Sequence, residues 1–260
     1  MLNLIPISDA NPTRRFPIVT VSLIVANVLM FLFVEPGFGS NWAAERYFFH
    51  HVALPCQLEN TCPAVVNVNT GAGAQAVHLQ DRDILSFLGA VLFSTFLHGG
   101  WLHIIGNMLF LWIFGNNVED WLGRIKYVFF YLLGGLAAGF AQVLTNLHGQ
   151  GAITPAVGAS GAVAAVMGAY FVLFPRARVN TIVPIFFFFS VIQLSAFWVL
   201  GLWFLFQVFV PQQGVAWQAH VGGFVFGIVA ILLLGGRPHR QGPAWRTQGG
   251  FPGGYGRSGY

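Results

Sequence analysis

After Asp120 the chain has no aspartate or glutamate at all, and across its 260 residues only 8% are charged. Ordinary soluble domains carry roughly 25%. Together with a 56% hydrophobic content, this scarcity excludes a water-soluble globular domain and marks a polytopic membrane protein. It also removes chemistry. An aspartyl site needs paired carboxylates within the spans, and a zinc site of the His-Glu-x-x-His kind needs a motif that is absent. Proton or ion coupling is disfavoured for lack of any intramembrane carboxylate or arginine. A metal oxidase built on His98, His103 and His220 fails as well, because positions five apart diverge by about 140° on a helix and no carboxylate ligand joins them. No cofactor, metal or nucleic-acid partner is therefore expected. Lysine occurs once and cysteine twice. Cys56 and Cys62 share one loop and pair if that loop is extracytoplasmic; two free thiols are the alternative.

Apolar stretches of spanning length run over about 17–34, 100–118, 126–146, 185–210 and 216–235, and a shorter run over 160–174 makes six. The fifth region, from Val179 to Val210, is long enough for its Phe186 to Phe189 start to be tilted or interfacial. Arg14, Arg15, Arg124, Lys126, Arg176, Arg178, Arg237, Arg240, Arg246 and Arg257 fall on one side, and only Arg46 and Arg82 on the other. The positive-inside rule then predicts a cell (plasma or inner) membrane protein with both termini cytoplasmic. No cleavable signal peptide is expected. Residues 1–16 read as a cytoplasmic N-terminal segment, 17–235 as the six-span domain with a long extracytoplasmic loop over 35–83, and 236–260 as a disordered Gly-, Pro- and Arg-rich cytoplasmic tail. The apolar part after Asp83 is expected to lie in the interface.

The short fourth run is the most informative. From Ser160 to Phe174 a helix covers roughly 22 Å against a hydrocarbon core of about 30 Å. The stretch before it, with Pro155 and Gly158, must dip into the membrane as irregular backbone, which is tolerated only against protein or a water-filled cavity. Ser160 thus heads a sunken helix beside water. His220 precedes Arg237 by 17 residues, Ser160 precedes Arg176 by 16, and His103 precedes Glu119 by 16. On three spans running in the same direction, all three lie at one depth, with Asn107 one turn deeper on the His103 face. Serine needs a base, and His220 is the one at matched depth. With no acid in reach, a Ser160–His220 dyad is favoured over a triad. The Ser160 backbone N–H, the Asn107 amide and an imidazole N–H of His103 are the donors available for an oxyanion. Ser160, Ala164 and Gly168 form one small-residue stripe, and His220, Gly223 and Gly227 share a face, a pattern that lets membrane helices pack closely.

These residues resemble the rhomboid intramembrane serine proteases. Phe96-Leu-His98-Gly-Gly-Trp-Leu-His103-Ile-Ile-Gly-Asn107-Met is similar to the family's second-span pattern, Gly158-Ala-Ser160-Gly161 to its nucleophile motif, and Ala219-His220-Val-Gly-Gly223 to its sixth-span histidine motif. The resemblance covers about 17–235 and implies an all-α, six-helix bundle around a cavity open to the extracytoplasmic side. It implies peptide-bond hydrolysis in single-span or other transmembrane substrates within the lipid bilayer. It assigns Ser160 as nucleophile, His220 as general base, His103 with Asn107 at the oxyanion, and structural roles to Gly158, Gly161, Gly223, Gly227, Glu119 and Arg124. Many members stack an aromatic residue, four positions after the serine, on the base. Here that position is Ala164, which leaves Phe224 as the expected support for His220. The Trp-Arg pair often found before the second span is also missing. The alternative is an inactive relative that binds transmembrane clients without cutting them.

Overall fold

A computed structural model describes residues 5–36, 42–70, 73–185, 188–210 and 215–238; most of the tail expected over 236–260 lies outside them. Among the described residues eight α-helices occur in this order: α1 (Ile18–Phe33), α2 (Trp42–His51), α3 (Ile84–Ser94), α4 (Trp101–Leu122), α5 (Arg124–Leu144), α6 (Ser160–Leu173), α7 (Ala196–Phe209) and α8 (Trp217–Leu233). They form the helical bundle that the composition predicts. Arg124–Leu144 is, among the described residues, the one helix both long and apolar enough to cross a membrane by length and composition alone.

At the centre stands α6, in which every residue from Gly161 to Tyr170 is buried. Its small residues allow this, because α8 lies against it backbone to backbone. A Cβ on Gly223 would fall on the Gly161 carbonyl oxygen, one on Gly227 on the Ala165 carbonyl, and one on Gly168 on the Phe224 carbonyl. On its other side α6 meets α5, where Gly134 faces the Ala165 methyl. Contact this close replaces the hydrophobic drive that lipid cannot supply with dense dispersion packing.

Glu119, near the C-terminal end of α4, is buried and serves α1 rather than Arg124. Its carboxylate accepts from the backbone N–H groups of Val19 (3.0 Å) and Thr20 (2.8 Å) and from the Thr20 hydroxyl (2.8 Å). Pro17 at the N-cap has no side-chain group to do this. An anion at a helix N-terminus satisfies orphan donors and complements the dipole. Gly123 makes the α4–α5 turn at φ +76°, and Arg124 opens α5 as an exposed side chain.

The described residues of the long loop hold regular structure. Beside α2 it holds an antiparallel hairpin, β2 (Val65–Thr70) with β3 (Gly73–His78), and a disulfide joins Cys56 to Cys62. Asp83 caps α3 by accepting from Ser86 N–H at 2.7 Å.

The expected fifth span over 185–210 is corrected. Its first half is not helical: β4 (Arg178–Ile185) and β5 (Phe188–Ser195) form an antiparallel hairpin, and the helix begins only at Ala196. Ala177, Val179, Thr181 and Val183 are buried while Arg178 and Asn180 are not, the period of two that a strand imposes. Residues 1–16, expected as a simple leading segment, contribute β1 (Ile5–Asp9), which adds to β4 to complete a three-stranded sheet in the order β1-β4-β5.

Asp9 fastens this sheet to the bundle. Its Oδ2 accepts from the Tyr170 hydroxyl at 2.7 Å and from Asn117 Nδ2 at 2.9 Å. Burial outweighs these bonds and pushes its carboxyl up to about 6. The folded state thus holds the Asp9 proton more tightly than the unfolded chain. Stability from this site is fully present below about pH 4 and is lost as pH rises to about 6. The shift corresponds to something on the order of 3 kcal/mol. Thermal unfolding in detergent is expected to show this decline between pH 4 and 6, and Asp9→Asn to flatten it.

Candidate active site

The N-terminal ends of α4, α6 and α8, the C-terminal end of α5 and the middle of α7 surround a cavity of about 1020 Å³, on the end of the bundle away from the Glu119 cap. His103, Gly106, Asn107, Ser160, Trp203 and His220 are among its lining residues. The cavity extends down past Phe110 of α4 and Met167 of α6. It reaches Trp203 of α7, and α4 and α7 scarcely touch among the described residues.

Ser160 is the first residue of α6. Before it, a 3-10 turn over Gly149–Ile153 gives way to irregular backbone. Ser160 N–H belongs to the first turn, so no carbonyl four residues back takes it. Gly158 adopts φ +127° and is pinned by its N–H donating to the Ser94 carbonyl at 3.0 Å. A Cβ there would sit 2.7 Å from His103 Nε2 and 3.6 Å from Asn107 Nδ2. Only glycine lets this strand of backbone lie so close to both side chains. A Cβ on Gly161 would lie 3.7 Å from the Ala219 carbonyl oxygen. The neighbours of Ser160 and His220 thus face each other, which sets the serine and the histidine at one level.

His103 Nδ1 accepts from Gly99 N–H at 3.3 Å, so in the neutral ring the proton sits on Nε2, beside Gly158. Asn107 Nδ2 is buried and has no partner among the described residues. A buried donor without an acceptor is costly unless something else, such as a developing negative charge, accepts its hydrogen bond. The His98 ring is buried and meets His103 edge-on, with centroids 5.3 Å apart, while its backbone N–H donates to Glu35 at 2.9 Å. His98 therefore braces His103 from behind. A second cavity of about 40 Å³ lies behind Ser160, lined by Ser94, Thr95, Gln142 and Gly161 among others. It is polar enough and of a size to take water.

The surroundings of His220 differ from the sequence expectation. Phe224 does not support the ring; it stacks on Phe204 at 4.8 Å. The contacts come from α7 instead. Trp203 lies 5.7 Å from the imidazole, centroid to centroid, and Gln207 Oε1 is 2.8 Å from His220 Nδ1. Sequence reasoning passed over Gln207. It is the only amide between Ser195 and Val210, and a polar side chain isolated in an apolar span is a functional signal in itself.

If the cavity hydrolyses peptide bonds with an oxyanion held by several donors, Asn107→Ala is expected to slow that hydrolysis about tenfold without abolishing it, since the dominant donor alone is worth ~2.7–4 kcal/mol. Steady-state cleavage at matched expression checks this. An unchanged rate would reduce Asn107 to helix packing.

Fold and site together define a helical membrane protein with a serine–histidine cavity at one end of its bundle. Residues 88–237 match the Rhomboid domain, more than half of the chain, and the chain belongs to the rhomboid family. It is similar to the mouse presenilin-associated rhomboid-like protein, mitochondrial, at 32% identity over 53% of this chain and 36% of that protein. It is also similar to the yeast (Saccharomyces cerevisiae) rhomboid protein 1, mitochondrial, at 30% over 40% and 31%, and to Arabidopsis thaliana RHOMBOID-like protein 5 at 36% over 28% and 23%. The chain spans about a third of the length of the curated relatives it matches over the longest stretches. These relatives correct the expected cell-membrane location: the mouse and yeast proteins are mitochondrial by name, pointing to a mitochondrial membrane rather than the plasma membrane. The arginine asymmetry says which end of the bundle bears the cations, and that pattern carries no organelle address.

Proposed function

We propose that this chain is a serine-type intramembrane endopeptidase acting on transmembrane protein substrates. The observation that carries the reading is the convergence, on one water-accessible cavity, of Ser160, His220, His103 and Asn107, with the Asn107 amide unpartnered. Ser160 Oγ attacks the scissile carbonyl carbon while His220 Nε2 takes its proton. The oxyanion accepts from Ser160 N–H, Asn107 Nδ2 and His103 Nε2–H. His220 then gives the proton to the leaving amine, and water repeats the sequence on the acyl-enzyme. On this reading the small cavity behind Ser160, which the Ser94, Thr95 and Gln142 side chains reach, supplies that water.

The cavity supports a substrate that arrives from the bilayer between α4 and α7 and presents extended backbone to Ser160. Gly or Pro near the substrate's span end, which weakens its helix, is expected to favour cutting. The domain we assign to this activity is the six-span unit over 17–235, with α7 and its preceding hairpin as the fifth unit. The test is to incubate purified protein with a single-span substrate and to map the cut by mass spectrometry. A mechanism-based serine reagent run in parallel should label Ser160. Binding of the substrate with neither cut nor label would establish a client-binding protein instead.

A further inference from the structure

We infer that Gln207 is the positioning residue that fixes the tautomer and orientation of His220, in the role a carboxylate fills in a triad. The inference rests on the hydrolase reading above. A neutral imidazole carries one N–H. The Gln207 atom 2.8 Å from His220 Nδ1 is Oε1, an amide oxygen that can only accept, and the contact is a hydrogen bond when Nδ1 carries the ring proton. The lone pair is then left on Nε2, the nitrogen that has to receive the serine proton. Without such an acceptor both tautomers are populated, and the fraction with the proton on Nε2 cannot act as base.

Three further observations support the assignment. The sequence offers no acid after Asp120, so nothing near His220 on α6, α7 or α8 competes for Nδ1 as a carboxylate. Ala164, on the helix facing α8, ends at a buried methyl and gives the ring nothing to stack on. Trp203 lies one helical turn before Gln207 and therefore on the same face of α7, and its ring packs beside the imidazole. One face of α7 thus provides both a wall and an acceptor. As His220 takes the serine proton, the amide dipole faces the cation that forms at Nδ1–H.

The test uses full-length protein in detergent and reads His220 directly. In protein labelled with 15N-histidine, the His220 signals are assigned by their loss in His220→Gln. The wild type is expected to hold His220 as the Nδ1–H tautomer at pH 8. Gln207→Leu is expected to bring in the Nε2–H form and to lower kcat by about tenfold or more with KM within twofold. Gln207→Glu keeps an acceptor, so it should restore most of kcat while moving the acid limb of the pH–rate profile upward, since a carboxylate stabilises the imidazolium. A wild-type Nε2–H tautomer would overturn the assignment, as would a Gln207→Leu enzyme with normal kcat and an unmoved acid limb. Loss of activity in both variants with an unchanged tautomer would also overturn it, by reducing Gln207 to packing. The NMR readout needs no turnover. A wild type that neither cuts nor labels at Ser160 therefore refutes the hydrolase reading separately from the Gln207–His220 contact.

Discussion

Ser160→Ala and His220→Ala are each expected to abolish cleavage, and the double variant to be no worse than either single one. On the proposed mechanism the two side chains act as one unit. Without the hydroxyl there is no nucleophile, and without the imidazole the hydroxyl keeps its proton, so removing the second partner takes away nothing that still works. Both variants should fold and insert normally. Ser160 lies at the helix start with its side chain toward the cavity, and His220 is only partly buried at the same mouth. The serine reagent should label wild type and fail on His220→Ala. Cleavage that persists in Ser160→Ala and is sensitive to EDTA would move the activity to a metal centre or a contaminant.

Gly223→Val is expected to lose the folded protein rather than its chemistry. The obstruction at this site is the Gly161 carbonyl, backbone that cannot rotate away as a side chain would. Overpacking against movable neighbours already destabilises by about 1–3 kcal/mol, and here α8 would have to separate from α6. The loss should therefore exceed about 3 kcal/mol and appear as aggregation or as a large fall in unfolding temperature. Gly89→Ala is the matched control. A Cβ there meets nothing within 4 Å, and alanine in a helix should be neutral or stabilising by up to about 1 kcal/mol. Equal stability of the Gly223 and Gly89 variants would refute the close α6–α8 contact.

Much of the site was legible because membrane burial makes polar residues conspicuous. Ser160, His220, His103 and Asn107 stood out against apolar neighbours, and equal distances to the cationic end put three of them at one depth. The glycine faces of α6 and α8 were legible for the same reason, since a residue without a side chain in a span has few purposes. The β4–β5 hairpin was not. Val179 to Ser195 is as apolar as a span, and hydropathy alone cannot separate a strand from a helix in such a run. The usable signals were weaker: β-branched Val179, Thr181, Ile182 and Val183, and polar Arg178 and Asn180 two apart. Gln207 was missed for a different reason. Its meaning depends on which residue of a neighbouring helix lies opposite, and no periodicity within α7 contains that. The membrane's identity was beyond the reach of charge counting, because cation asymmetry orients a chain in any bilayer.

Strand β1 has a consequence for the order in which the protein is assembled. Its Ser8 hydroxyl accepts from Asn180 Nδ2, 172 positions along the chain, and Asp9 takes the Tyr170 hydroxyl from 161 positions away. During synthesis the first strand therefore waits, unpaired, until α6 and then β4 have emerged, and the closure it makes is among the most remote in the molecule. Docking of β1 is thus a late step that reports completion of the central helix. A nascent chain halted before residue 178 has no strand for its first residues to join.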